Sequence, residues 1–111
     1  MTKTEILPLG TVITLKNGDN TQLMIISRAI VTEEKKQDYY YDYGAVLLPE
    51  GMSTPEAVYF FNRENVGDVI FRGYENEEEK QYASKYDQMI NQANIKKGTV
   101  NDLDDTEIYG F

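Results

Sequence analysis

The sequence predicts an α+β fold: an antiparallel, meander-like sheet of about five strands, followed by a long C-terminal helix and an acidic tail. Three observations lead there. Tyr39-Tyr40-Tyr41-Asp42-Tyr43-Gly44-Ala45-Val46-Leu47-Leu48 places bulky residues on both parities, so a strand here is covered on both faces and has neighbours on both sides. Short apolar runs before and after it are separated by turn-forming residues. Beyond Glu75 the apolar spacing changes from strand-like to helical.

In chain order, Ile6-Leu7-Pro8-Leu9-Gly10 is an apolar lead-in that tucks against the sheet. Thr11 to Lys16 alternates, and Asn17-Gly18-Asp19 is a hairpin signal because Asn and Gly tolerate positive φ. A three-residue loop is preferred, since it sets Ile13 opposite Leu23 and Val12 opposite Met24, pairing apolar with apolar. Leu23-Met24-Ile25-Ile26 reads as a second interior strand, which Ser27 to Val31 can extend. Glu33-Glu34-Lys35-Lys36-Gln37 is expected as an exposed loop before the tyrosine strand. Pro49 and Gly51 end that strand, because proline donates nothing to a ladder and glycine accepts turn geometry.

Val58-Tyr59-Phe60-Phe61 is a short aromatic strand, and Asn62 can cap one helical turn over Arg63 to Val66. Asp68 to Tyr74 alternates again. Asn76 with Glu79 resembles a capping box, and Glu77, Glu78 and Glu79 suit the positive end of a helix dipole. Tyr82, Tyr86, Met89, Ile90 and Ala93 follow at helical spacing, with Lys96-Lys97-Gly98 as the expected stop. The expected organisation is one domain over residues 1–98 (sheet 11–74, helix 76–97), then an acidic tail over 99–111.

The net charge of −8 disfavours contact with nucleic-acid backbones or an anionic membrane surface, both of which need a basic footprint. No signal-peptide run and no membrane-spanning stretch is seen, so the expected location is the cytoplasm. Cysteine and histidine are both absent, which removes disulfides, thiol nucleophiles, thiolate zinc sites and the commonest general base. No phosphate loop, nucleophile elbow or dinucleotide fingerprint occurs. Asp102, Asp104 and Thr106 share the opening spacing of a calcium loop, but Glu107 stands where its glycine belongs. The expectation is therefore a protein that binds without catalysing, with no cofactor and no metal.

A carboxylate pair, Asp42 with Glu64 or Asp68, is the one enzymatic arrangement the composition permits. The alternative role for Asp42 is to accept hydrogen bonds from tyrosine hydroxyls. Ten acidic residues stand against seven basic through Tyr74, and nine against four beyond it. Together with the helical stripe and the apolar end of the tail, this points to a partner surface in the C-terminal third. The candidate partner-binding residues are Tyr82, Tyr86 and Met89 on the helix and Ile108, Tyr109 and Phe111 in the tail. Tyr39 and Tyr40 beside the charged loop complete the set. Packing of the helical stripe on the sheet is the competing reading.

Several blocks carry a resemblance. They are Leu7-Pro8-Leu9-Gly10-Thr11-Val12, Leu23-Met24-Ile25-Ile26-Ser27-Arg28, and Tyr41-Asp42-Tyr43 running to Leu48-Pro49-Glu50-Gly51. With them goes Tyr59-Phe60-Phe61-Asn62-Arg63-Glu64-Asn65-Val66 ending Val69-Ile70-Phe71-Arg72-Gly73-Tyr74. Over residues 6–75 the chain resembles a small domain-of-unknown-function family of Gram-positive bacteria, encoded beside type VII secretion genes and LXG-type toxins. That resemblance implies a cytoplasmic chaperone or adaptor for toxin export, and it brings no catalytic residues. An immunity protein that blocks a cognate toxin is the alternative.

Overall fold

The computed structural model describes residues 5–100. The strands are β1 (Val12–Leu15), β2 (Leu23–Glu34), β3 (Gln37–Leu47), β4 (Tyr59–Phe61), β5 (Val66–Phe71) and β6 (Lys96–Lys97). A 3₁₀ turn (Arg63–Asn65) joins β4 to β5, and α1 (Glu77–Ala93) lies between β5 and β6. β1 to β4 form an antiparallel meander, β5 pairs on the other side of β1, and β6 pairs parallel with β3. The architecture is the expected α+β sheet followed by one C-terminal helix.

The β1–β2 register is the expected one, with Val12 opposite Met24 and Ile13 opposite Leu23. The ladder carries both rows across the sheet. Val69, Ile13, Leu23 and Leu47 form one, while Phe71, Val12, Met24 and Val46 form the other. Ile13 and Leu23 are buried in the main core with Ile6, Leu7, Ile25, Tyr43, Phe61 and Tyr86. The lead-in is fastened there as well: Gly10 N–H donates to the Ile25 carbonyl at 2.8 Å.

Between Tyr39 and Ala45 β3 is interior, flanked by β2 on one side and by β6 and then β4 on the other. All six residues from Tyr41 to Val46 are buried, as a strand with both faces covered requires. The expected charged loop is much shorter. β2 runs to Glu34 and β3 begins at Gln37, leaving Lys35 and Lys36 as a two-residue turn with φ of 52° and 65°. Positive φ at both central residues is the geometry whose twist matches a hairpin.

Phe61 and Val66 are five residues apart, a reach of at most about 17 Å. Yet they lie on strands at opposite ends of the order β4-β3-β2-β1-β5, about 19 Å apart in a flat sheet. The sheet therefore curls around its core.

The helix starts as expected, with Asn76 Oδ1 accepting from Glu79 N–H at 2.8 Å. It ends earlier than expected. Asn94 adopts a left-handed conformation (φ 55°, ψ 42°) after Ala93, which turns the chain back toward the sheet. Lys96-Lys97 is consequently a strand beside Tyr39 and Tyr40 rather than the last turn of the helix. Gly98 has a different duty from the expected stop. Its N–H donates to the Tyr40 carbonyl at 2.8 Å, and any Cβ there would run into the Tyr41 ring.

Candidate functional site

Two constructions fasten α1 to the sheet, and what they leave exposed defines the candidate surface. The first begins with Arg28, a charge in the middle of β2. Its guanidinium grips Glu79 with both ends, at 2.6 and 2.9 Å, donates to the Leu7 carbonyl at 3.2 Å, and lies 4.2 Å over the Tyr82 ring. The ion pair is largely shielded, at 9% and 12% side-chain exposure, where a two-point fork is worth more than a surface pair.

The second construction is a brace around Asp42, which is fully buried on β3. Its Oδ1 accepts the Tyr86 hydroxyl at 2.8 Å, and its Oδ2 accepts the backbone N–H of Arg63 at 2.9 Å. Two cations stand 3.4 Å from Oδ2, Arg63 Nε and Lys97 Nζ. Arg63 reaches on to Asp87 at 2.8 Å and Lys97 to Glu64 at 2.9 Å, so each cation joins the buried carboxylate to one nearer the surface. Asn62 closes the ring of contacts. Its Oδ1 accepts from Asp42 N–H at 3.0 Å and its Nδ2 donates to the Gly98 carbonyl at 2.9 Å. One side chain thus holds together β3, the 3₁₀ turn, α1 and β6.

The electrostatics follow the geometry. Burial, reinforced by the Asp42 charge, raises the Tyr86 hydroxyl far above the usual range and keeps it a donor. Burial works against the charge on Arg63, but Asp87 and Asp42 outweigh it and raise the pKa. Lys97 behaves alike: burial opposes its charge, while Glu64 and Asp42 prevail. The Tyr43 hydroxyl, pushed up to about 12 by burial, accepts the Leu7 N–H at 2.8 Å.

Asp42 thus takes the role of acceptor from a tyrosine hydroxyl, in the middle of the fold. Glu64 is engaged with Lys97, and Asp68 lies on β5 with its backbone N–H bonded to Thr14 Oγ1 at 3.2 Å. The Asp42 oxygens are engaged by the Tyr86 hydroxyl, the Arg63 N–H and the Arg63 and Lys97 cations.

The expected partner residues are divided by this arrangement. Tyr86 is 1% exposed and belongs to the core, a correction to its expected place on a partner surface. It points inward because its ring joins the core cluster that holds Tyr43 and Phe61, with the Tyr82 ring centre 6.0 Å away, while its hydroxyl satisfies Asp42. Tyr39 and Tyr40 are half-buried beside β6, with Lys96 Nζ 5.9 Å from the Tyr39 ring centre. Tyr82 is half-buried under Arg28, and Met89 is 39% exposed. Tyr82 and Met89, two helical turns apart, line an open groove with Gln81, Lys85, Gln88 and Gln92. Ile108, Tyr109 and Phe111 lie outside the described residues.

Sequence reasoning missed Arg28, Asn62, Arg63, Glu79 and Lys97 as members of these constructions. Arg28 alone gave a local signal, a charge set within an apolar strand.

A family model described as Domain of unknown function (DUF4176) matches residues 6–82. The chain belongs to this family. The DUF4176 segment spans β1 to β5 and the opening of α1, and so contains Arg28, Glu79, Asp42, Asn62 and Arg63. Tyr86, Asp87 and Lys97, which complete the Asp42 brace, lie beyond it. No curated protein and no solved structure matches the chain. Among the described residues, no helix is long and apolar enough to cross a membrane.

Proposed function

We propose that this DUF4176 protein is a non-catalytic accessory protein, a chaperone or adaptor that binds an LXG-type toxin of a type VII secretion system in the Gram-positive cytoplasm before export. The observation that carries the binding role is the division of the helical stripe. Tyr86 is committed to the core, while Tyr82 and Met89 remain on an open groove lined by long, adaptable glutamine side chains. Such a groove suits the apolar side of a helical segment, with methionine conforming to whatever packs on it. The two constructions hold α1 on the sheet and leave this face outward. The resemblance of the sequence blocks to proteins encoded beside toxin-export genes supports the identity of the partner.

The test compares a gene deletion with Met89→Asp, which places a charge in the groove and touches neither brace. Toxin in the culture medium and self-intoxication are measured together. Secretion lost in both strains without self-killing is the expected result. Self-killing with intact secretion would establish an immunity protein instead, and a deletion without effect on either would remove the reading altogether.

A further inference from the structure

We propose that β5 is the seam of a two-fold homodimer, its strands pairing antiparallel with Ile70 on the axis. β5 ends the strand order, with β1 as its neighbour on one side. Val69, Ile70 and Phe71 are 47%, 51% and 62% exposed, and Tyr74 just beyond is 80% exposed. An edge strand with this much open apolar surface is a template for another strand. The opposite edge is better guarded, since β4 has three residues and β6 is two lysines.

Charge complementarity selects a second copy as the occupant. Asp68-Val69-Ile70-Phe71-Arg72 has an acid and a base placed symmetrically about Ile70. With Ile70 on the two-fold axis, Asp68 of each copy faces Arg72 of the other, and Val69 faces Phe71, each pair occurring twice. Opposite charges and apolar pairs directly across a ladder both stabilise it. A shift of one residue either way sets Asp68 against Phe71 or Arg72 against Val69, and a parallel pairing stacks like charges. Arg72 already meets Glu75 at 3.0 Å and Glu5 at 3.4 Å, yet remains 43% exposed and within reach of a neighbouring strand.

The register against β1 also tells how strong the seam is. Between Val12–Phe71, Ile13–Val69 and Leu15–Val66, β5 advances one residue more than β1 at each step. Two bulges therefore bend β5 and confine outward pairing to a short run. So short a seam buries less than the roughly 1,000 Å² of a stable interface, so the association is weak and transient. This inference is independent of the groove on α1, which lies on the helix and not at this edge.

Sedimentation velocity of the full chain, from about 10 µM to about 1 mM, tests it against the affinity expected of a small interface. The parent is expected to pass from monomer to dimer. Asp68→Arg and Arg72→Asp should each stay monomeric, because each sets like charges across the seam. An equimolar mixture of the two variants should recover the dimer, since the charges then complement in both pairs. Circular dichroism of each variant confirms the fold, as both side chains are exposed. A parent that is monomeric at every concentration would overturn the proposal. Single variants that dimerise like the parent, or a mixture that fails to, would overturn it equally.

Discussion

Replacing Asp42 by asparagine tests the physical account of the fold most directly. The substitution keeps the shape of the side chain and one carbonyl oxygen but removes the charge between Arg63 and Lys97. The amide still accepts one of the two strong hydrogen bonds now made, from the Tyr86 hydroxyl or from Arg63 N–H. Its NH₂ group must then face a donor or a cation. Removing one partner of a buried ion pair costs about 3–5 kcal/mol. The lower end applies here, because Arg63 retains Asp87 and Lys97 retains Glu64. A loss of about 3 kcal/mol lowers the melting temperature of a domain this size by roughly 12–24 °C.

Urea denaturation and thermal melting measure the loss, with Tyr86→Phe as the partner in a double-mutant cycle. That variant alone removes one hydroxyl donor and costs about 1–2 kcal/mol. The cycle should show coupling of about 0.5–3 kcal/mol, as for residues in one network. A folded Asp42→Asn protein within about 0.5 kcal/mol of the parent, the range of ordinary surface changes, would refute the reasoning.

Two further outcomes follow from burial. Tyr86→Ala should lose about 3–5 kcal/mol by opening a cavity, whereas Met89→Ala, at a position 39% exposed, should lose less than about 1 kcal/mol; a reversed ranking in urea would return the stripe to the surface. The alkaline limb should be steep. Tyr43 is pushed up to about 12, above its unfolded value of about 10, so its contribution is complete below pH 10 and is lost as pH climbs toward 12. Tyr41, raised to about 12 by burial and then by its bond to Glu34, moves stability in the same direction. Unfolding followed by tyrosinate absorbance checks this, and undiminished stability near pH 12 would contradict it.

The sequence by itself determined whatever depends on neighbours along the chain. The β1–β2 register was legible because apolar residues must face apolar residues across a hairpin. The interior position of β3 was legible from bulk on both parities, and the start of α1 from Asn76, whose side chain needs only an amide three residues on. Tertiary structure alone decided what depends on residues brought from afar. Asp42 is joined to Tyr86 across 44 positions and Arg28 to Glu79 across 51, and no local spacing encodes such a meeting. The same holds for the end of the helix. Lys96-Lys97 resembles a helical stop, but the ladder with Tyr39 and Tyr40 and the ion pairs to Asp42 and Glu64 draw it into the sheet. The division of the stripe into a buried Tyr86 and an exposed Met89 was decided likewise. Helical periodicity places both on one side of α1, and the depth of the curled sheet beneath, with a carboxylate waiting for a hydroxyl, sets which of them is covered.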